Sequence, residues 1–232
     1  MTELSLILTG HNEGPTLTHS LERIRLACER LGVDFEILAI DDASSDGTAD
    51  VLRRFLDRED VPGRFWAHEQ NRGRGATVRE GLAEARGKVV GYLDADLEVG
   101  AEYIPVFYDA IRDGAEVAIG RRIYRVDWRS LPRYAASRTY AQLVRRRLGV
   151  PFSDTEAGYK FFSGDTARML AAETRHPGWF WDTEVVVTAM RRGLRVVEVP
   201  CLYVRRYDKP SSVRLLRDSI DYLRALRRFE KA

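Results

Sequence analysis

The first 120 residues alternate short apolar runs with longer segments in which apolar residues recur at helical spacing. In the segment 16–31, for example, Leu17, Leu21 and Ile24 lie three or four residues apart. This spacing places apolar side chains on one side of a helix, whereas a short continuous apolar run is typical of a buried strand. The predicted strands are 4–9, 35–40, 64–68, 88–93 and 116–120, and the predicted helices are 16–31, one that Asp46 can cap, one at about 76–85 and one within 101–113. Strands separated by helices of this length predict an α/β fold, with a Rossmann-like, mostly parallel sheet flanked by helices.

The pattern loosens after Gly120, where an arginine-rich segment begins. Hydrophobic periodicity still predicts strands and helices there. The predicted strands are 158–162 and 194–200, and the predicted helices are about 134–148, a helix from Asp165, 182–192 and 212–229.

A chain of 232 residues fits one large domain. We predict that this domain covers 1–210, with a first half at 1–120 and a smaller subregion at 121–210. A basic amphipathic helix is predicted to follow over 211–232.

Composition excludes several classes of protein. The 37 basic and 35 acidic residues leave a net charge of +2, so the overall charge does not favour a nucleic-acid partner. The two cysteines, Cys28 and Cys201, are too few for a disulfide framework and are predicted to be reduced core residues. No leader sequence and no apolar run approaching a membrane span is evident. We therefore expect a cytoplasmic protein.

Polar clusters follow four of the predicted strands at the point where each strand ends. The clusters are His11 to Glu13, Asp41–Asp42, Asn71 to Gly75, and Asp94 to Glu98. In open α/β sheets the ligand-binding crevice lies at this edge. The sequence therefore predicts one ligand site to which all four clusters contribute.

Three carboxylates lie close together in the fourth cluster: Asp94, Asp96 and Glu98. Mg²⁺ and Mn²⁺ prefer oxygen ligands, and they are commonly held by one or two carboxylates together with phosphate oxygens. A divalent cation bound to a diphosphate would offset the repulsion between these charges. The alternative is a solvated acidic turn in which Asp96 or Glu98 serves the N-terminus of the next helix.

The second and third clusters also allow two interpretations each. Asp41 or Asp42 can accept an N–H group of a nucleobase, while Asp46 starts the next helix. Gly73 and Gly75 precede a helix, where backbone N–H groups can approach a phosphate, or they form a tight turn. A nicotinamide-binding motif is excluded, because Val78 replaces its third glycine and the motif follows the third strand.

These motifs, HNE, DDASSDGT, NRGRGA and DADLE, occur in the order and spacing found in family 2 glycosyltransferases of the GT-A fold. Further along, SDTEAGYKFFSGDTA resembles the D-x-x-x-G-[FY]-[KR] segment of dolichol-phosphate and polyprenyl-phosphate sugar transferases. The segments WDTEVVVTAMRRGLRVVEVP and RRYDKPSS resemble the end of the same catalytic domain. The resemblance covers most of the chain.

The resemblance implies a role for residues in the first half. Asn12 and Glu13 would line the nucleotide site, and Asp41 or Asp42 would contact the base. Asp94 would bind the ribose or metal-bound groups and Asp96 the metal, Mg²⁺ or Mn²⁺. Many polyprenyl-phosphate relatives carry a glutamine at the position of Glu98, so a carboxylate there would add charge to the metal site.

The resemblance implies an inverting, metal-dependent transfer of a hexose from a nucleotide-sugar donor, GDP-mannose or a UDP-sugar, to a polyprenyl or other isoprenoid phosphate. The second half would bind this acceptor. A lipid phosphate brings an anionic oxygen that attacks the anomeric carbon without a strong base, and arginines would hold it. The candidates are Arg121, Arg122, Arg133 and Arg138, and Arg206 is a candidate for closing over the donor.

An alternative keeps the same fold but transfers the sugar to a hydroxyl of a polysaccharide or natural product. A carboxylate must then take the hydroxyl proton. Asp182 and Glu184 are the candidates, with Asp154 behind them. The catalytic residues predicted overall are therefore Asp94, Asp96, Asp182, Arg121 and Arg138. A catalytically inactive nucleotide-sugar-binding protein is the alternative from another class.

The C-terminal segment 212–229 has an apolar stripe surrounded by arginines. A helix of this kind can lie on an anionic membrane surface. It can equally pack against the domain or against a partner subunit. The first interpretation predicts a peripheral protein at the cytoplasmic face of the membrane.

Overall fold

The computed structural model describes residues 2–14, 17–58, 60–124, 131–205 and 215–230, with the backbone alone at 132–133 and 215–219. The predicted strands and helices of the first half are confirmed with small shifts at their ends. The strands are β1 (Leu4–Gly10), β2 (Phe35–Asp41), β3 (Gly63–Ala67) and β4 (Val89–Asp94), and the helices are α1 (Leu17–Leu31), α2 (Thr48–Leu56) and α3 (Arg74–Glu84).

The remaining predicted elements are confirmed as well. A short 3-10 turn at Ala101–Tyr103 precedes the next helix. The elements are α4 (Ile104–Arg112), β5 (Val117–Tyr124), α5 (Leu131–Leu148), β6 (Tyr159–Ser163), α6 (Gly164–Glu173), α7 (Trp181–Arg191), β7 (Val196–Tyr203) and α8 (Leu215–Phe229).

The seven strands form one sheet in the order β3-β2-β1-β4-β6-β5-β7. Only β6 runs against its neighbours, pairing antiparallel with both β4 and β5, which confirms a mostly parallel sheet. The register places Gly10 beside Asp41 and Thr9 beside Asp94. The carboxyl ends of β1, β2 and β4 therefore meet at one edge of the sheet.

Strands β5 and β7 extend beyond their predicted ends at Gly120 and Pro200. The extension pairs Arg122 with Cys201 and Ile123 with Leu202 in parallel register. One side of this extension is covered and the other is exposed, so its residues alternate in character and do not form a continuous apolar run. The sequence-based prediction ended too early for this reason.

Two apolar layers cover the two faces of the sheet. One layer contains α1, α2 and α4, and the other contains α3, α6 and α7. Cys28 and Cys201 are free thiols buried in the first layer, as predicted for core residues. The burial of strand residues on both faces explains why the first strands are continuous apolar runs.

Helix α8 packs against α5 and α7 through one of its sides. Leu226 and Ala225 are buried there together with Phe180, and the hydroxyl of Tyr222 donates a hydrogen bond to the backbone of Trp179 at 3.2 Å. Its opposite side is exposed. None of the helices in the described part of the chain is long and apolar enough to cross a membrane.

Candidate functional site

Three loops at the carboxyl edge of the sheet contain strained backbone. Asn12, Ala43 and Leu97 have positive φ angles, and they are the only non-glycine residues that do so in the described ranges. The left-handed conformation costs a non-glycine residue roughly 1–2 kcal/mol. Strain of this kind clusters at functional sites, and here it follows β1, β2 and β4.

The loops that follow β1 and β2 are linked by hydrogen bonds. The backbone N–H of Asn12 donates to Ser44 Oγ at 2.9 Å, and its side-chain oxygen accepts from the N–H of Ser45 at 2.8 Å. The N–H of Glu13 donates to Thr48 Oγ1 at 2.9 Å. These bonds place Asn12 and Glu13 at the carboxyl edge of the sheet, next to the loop that follows β2.

Asp42 organises the loop that follows β3. Its Oδ1 accepts from the N–H of Arg72 and lies 2.8 Å from His68 Nδ1, while its Oδ2 accepts from the N–H of Gly73 at 2.9 Å. The side chain is buried. Both carboxylate oxygens of Asp42 are therefore used within the protein.

Asp41 has a different environment although it is the adjacent residue. Its Oδ2 accepts from the N–H of Ser44 at 2.9 Å, whereas its Oδ1 is buried and has no hydrogen-bond partner. A buried carboxylate oxygen without a partner is costly unless a ligand supplies a donor. Of the two aspartates, Asp41 is the one with a carboxylate oxygen that makes no hydrogen bond within the protein.

Gly73 and Gly75 are required by close packing against the segment before α7. A Cβ on Gly73, which has a φ of +90°, would lie 2.6 Å from the carbonyl oxygen of Pro177. A Cβ on Gly75 would lie 2.5 Å from Cβ of Trp181. Because the N–H of Gly73 already donates to Asp42, the structure supports a packing role for these glycines.

A tight turn presents the carboxylates that follow β4. The N–H of Leu97 donates to the backbone oxygen of Asp94 at 3.1 Å, and the N–H of Glu98 donates to Asp96 Oδ1 at 3.2 Å. The carboxylate of Glu98 instead accepts a hydrogen bond from the hydroxyl of Tyr203 on β7. Asp94 and Asp96 are thus presented by the same turn, while Glu98 is directed towards β7.

Arg74 lies against Asp94 at the start of α3. Its Nη2 donates to Asp94 Oδ1, and its guanidinium lies 5.4 Å and 5.1 Å from the ring centres of Tyr92 and Trp179. Its Nε and Nη1 are buried without a hydrogen-bond partner. Gly158 completes the contact, because a Cβ there would overlap both Asp94 and Arg74.

The environment of Asp94 partly opposes its ionisation. Although 45% of its side chain is exposed, loss of solvation raises the pKa of Asp94 to about 7, with Asp96 and Asp182 adding to the rise and Arg74 opposing it. A carboxyl group whose pKa is raised towards neutral pH is typical of a functional site.

Asp182 and Lys160 form a buried ion pair behind Asp94. Lys160 Nζ donates to Asp182 Oδ1 at 2.8 Å, and the hydroxyl of Tyr92 donates to the same oxygen. The other oxygen of Asp182 lies 3.7 Å from Nη1 of Arg74. Burial lowers the pKa of Lys160, and the charge of Asp182 opposes this effect. Asp182, a candidate base in the sequence, therefore has its carboxylate engaged inside the protein.

The two other candidate carboxylates also have partners in the structure. Glu184 accepts from the N–H groups of Arg175 and His176 at 3.0 and 2.8 Å. Asp154 forms a bidentate pair with Arg122 at 2.7 and 2.9 Å. Both carboxylates are therefore used in hydrogen bonds within the protein.

The predicted acceptor arginines have different surroundings. Arg122 is paired with Asp154 and packs over Tyr124 at 5.4 Å. Arg121 and Arg138 are exposed, on β5 and α5. The side chain of Arg133 and the whole of Arg206 lie outside the described residues.

Sequence reasoning missed three residues of this region: Arg74, Lys160 and Glu156. Glu156 accepts from Ser137 Oγ at 3.0 Å, and burial raises its pKa to about 7 while Arg122 opposes the rise. Lys160 left a signal, because a lysine within the apolar run YKFF is rarely buried without a partner. The positions of Arg74 and Glu156 depend on contacts that no local pattern reports.

The oxygens of the turn fit a hard divalent cation that also binds phosphate. In the part of the chain that the structure describes, no three His, Cys, Asp or Glu side chains come together to hold a metal ion on their own. Asp94 and Asp96 supply two carboxylates from one turn, and Mg²⁺ commonly takes one or two carboxylates with substrate phosphates. Asp94 and Asp96 are thus the residues of this turn that would hold such a cation.

Comparison with known sequences identifies a family. The sequence model of glycosyl transferase family 2 matches residues 5–165. Glycosyltransferase AglD of Haloferax volcanii is 31% identical over 93% of this chain and 35% of its own length. Dolichyl-phosphate beta-glucosyltransferase of Saccharomyces cerevisiae is 26% identical over 85% of this chain and 65% of its own length.

A third relative names another lipid-phosphate acceptor. Undecaprenyl-phosphate 4-deoxy-4-formamido-L-arabinose transferase of Edwardsiella ictaluri is 28% identical over 92% of this chain and 64% of its own length. The chain thus spans between about a third and two thirds of the length of these three relatives.

Solved structures show the same fold. Glucosyl-3-phosphoglycerate synthase from Mycobacterium tuberculosis in complex with UDP superposes with a TM-score of 0.74 at 20% identity, covering 99% of this chain and 80% of that one. The same enzyme with Mn²⁺, UDP and glucosyl-3-phosphoglycerate gives a TM-score of 0.69 at 19% identity, over 98% and 76% of the two chains. The predicted GT-A fold is confirmed.

The different environments of Asp41 and Asp42 predict different costs of substitution. Asp42→Ala leaves the N–H groups of Arg72 and Gly73 unpaired, so we expect it to lower the free energy of unfolding by about 2–3 kcal/mol. Asp41→Ala removes one hydrogen bond and an unpaired buried oxygen, so its cost should stay below about 1 kcal/mol. Urea unfolding of both variants measures the difference, and equal losses would contradict this division.

Proposed function

Because the chain belongs to glycosyl transferase family 2, we propose that it transfers a hexose from a nucleotide sugar to a polyprenyl or other isoprenoid phosphate, with inversion at the anomeric carbon. The observation that carries the proposal is that two features lie at the same edge of the sheet. One is the Asp41 oxygen without a hydrogen-bond partner, and the other is the turn that contains Asp94 and Asp96. Relatives named for undecaprenyl and dolichyl phosphate support the acceptor class.

The donor half of the proposal assigns a task to each carboxylate. Asp41 Oδ1 accepts an N–H group of the base, and Asn12 and Glu13 line the nucleotide beside it. Asp94 and Asp96 would hold Mg²⁺ or Mn²⁺, which offsets the charge of the departing diphosphate when it is bound. The donor is GDP-mannose or a UDP-sugar.

The proposed class of acceptor follows from the burial of Asp182 in an ion pair with Lys160. A hydroxyl acceptor needs a carboxylate to take its proton, and Asp182 is buried against Lys160. A lipid phosphate brings its own anionic oxygen and needs cations to bind it. Arg121 and Arg138 are exposed and serve that role, while Arg122 is paired with Asp154 and supports the site from behind.

We also propose that the outer side of α8 contacts the membrane that carries such an acceptor. Ile220 and Leu223 are 49% and 41% exposed there, and Arg224 and Arg227 lie on the same side of the helix. Exposed apolar residues flanked by arginines are complementary to an anionic lipid surface.

The reaction is tested by measuring the release of nucleoside diphosphate from GDP-mannose and from UDP-sugars with Mg²⁺ or Mn²⁺, in the presence and absence of isoprenyl phosphates. We expect release to require both the cation and the isoprenyl phosphate. Turnover confined to hydroxyl acceptors would replace the proposal with the second mechanism. Donor binding without turnover on any acceptor would indicate an inactive binding protein.

Replacing the turn carboxylate tests the donor site directly. We expect Asp96→Ala to weaken binding of the nucleoside diphosphate in the presence of Mn²⁺ by about tenfold or more, measured by calorimetry, because the ion loses a ligand. Asp109→Ala, an exposed aspartate on α4, is the matched control. Asp46 is unsuitable as a control, because its carboxylate binds Thr48, which holds the backbone of Glu13. Equal binding by the Asp96 and Asp109 variants would show that Asp96 does not bind the metal ion.

Vesicle flotation tests the membrane contact. We expect the protein to float with vesicles that contain phosphatidylglycerol but not with pure phosphatidylcholine, and the doubly substituted Ile220→Asp, Leu223→Asp variant to bind roughly tenfold less. Val106→Asp on α4 replaces an equally exposed apolar residue, so it should bind like the unmodified protein. Equal flotation of both variants would place the contact elsewhere.

A further inference from the structure

Two oppositely charged residues are buried directly behind the carboxylate turn. Lys160 is fully buried on β6, and its Nζ donates to Asp182 at 2.8 Å, to the hydroxyl of Tyr92 at 3.3 Å and to the backbone oxygen of Ala157. Because β6 is antiparallel to β4, Lys160 lies opposite Tyr92, two residues before Asp94.

The charges continue from this pair to the crevice. Asp182 Oδ2 lies 3.7 Å from Nη1 of Arg74, and Nη2 of Arg74 donates to Asp94. Lys160, Asp182, Arg74 and Asp94 therefore alternate in sign from the interior to the site, and we call these four residues the charge chain.

Stability alone does not account for the charge chain. Taking a lysine and an aspartate out of water costs free energy that their attraction does not reliably recover, and well-packed apolar residues of similar volume are often as stable. A buried ion pair of this kind therefore needs an explanation other than stability. Its position behind Arg74 suggests that it helps to place the guanidinium of Arg74.

The guanidinium of Arg74 makes one hydrogen bond, which goes to Asp94. Its Nε and Nη1 make no hydrogen bond, so its guanidinium is held by Asp94, by the rings of Tyr92 and Trp179, and by the negative charge of Asp182. Lys160 and the hydroxyl of Tyr92 hold Asp182 in place. Removal of Lys160 would take from Asp182 its closest cation and would let it pair with Arg74 in competition with Asp94.

We propose that Lys160 is a positioning residue of the nucleotide-sugar site, which acts through Asp182 and Arg74 to fix the carboxylate of Asp94. The proposal rests on the proposed function for what Asp94 binds, but the geometry of the charge chain does not depend on it. Lys160 itself does not touch the crevice, since it is fully buried.

The test uses ¹⁹F NMR of protein labelled with 5-fluorotryptophan, without nucleotide or metal. The ring of Trp179 lies 5.1 Å from the guanidinium of Arg74 and reports its position. Trp66, whose indole N–H donates to Glu80 at 2.7 Å, is an internal reference away from the charge chain. The chain has four tryptophans, and Trp179→Phe assigns the resonance of Trp179.

We expect Lys160→Met to shift the Trp179 resonance and leave that of Trp66 in place. We also expect it to lower kcat for sugar transfer by roughly 100-fold, as a misplaced reacting group does, while KM for the isoprenyl phosphate changes less than about twofold. Lys88→Met, an exposed lysine paired with Glu3 just before β4, is the matched control and should change neither quantity.

Asp182→Asn provides a second variant that keeps the shape of the side chain but removes the charge facing Arg74. It should move the Trp179 resonance and reduce kcat as Lys160→Met does. If both variants keep the wild-type resonance and a kcat within twofold of wild type, the proposal is wrong. The NMR result needs no turnover, so a shifted resonance in a protein that transfers no sugar would refute the proposed function and not the charge chain.

Discussion

The antiparallel pairing of β6 with β4 determines what surrounds the carboxylate turn. Because β6 runs opposite to β4, its beginning meets the end of β4. The backbone oxygen of Gly158 accepts the N–H of Asp94 at 3.0 Å, and the missing side chain leaves room for Arg74. Lys160 then falls opposite Tyr92. A strand from the second half of the chain thus builds the interior side of a candidate site whose predicted metal-binding and nucleotide-binding residues come from the first half.

Neighbouring residues at this edge have separate tasks because a strand directs successive side chains to opposite sides. Asp42 uses both oxygens to hold the loop after β3, and this loop in turn carries Arg74 to Asp94. Asp41 retains an unpaired oxygen. Asp42 is therefore fixed by hydrogen bonds through both oxygens, whereas Asp41 keeps one buried oxygen without a partner.

Periodicity predicted the fold from sequence, because the strands buried on both faces are continuous apolar runs. It could not predict the ends of β5 and β7, because residues such as Arg122 and Ile123 alternate there in polarity and do not form a continuous apolar run. The motifs predicted Asp94 and Asp96 as a pair in one turn. They could not distinguish Asp41 from Asp42, nor show that Arg122 is paired with Asp154, because these facts depend on partners far away in the sequence.

Two carboxyl groups, Asp94 beside Arg74 and Glu156 beside Arg122, are only partly neutralised by their cationic neighbours. Burial raises the pKa values of Asp94 and Glu156 to about 7, above their ordinary values near 4. Such groups favour the folded state most below pH 4 and lose that contribution as the pH rises towards 7. At neutral pH the desolvation of these carboxyl groups therefore opposes folding. Under the proposed function, a cation held by Asp94 would offset this cost, which would couple ligand binding to the stability of the fold.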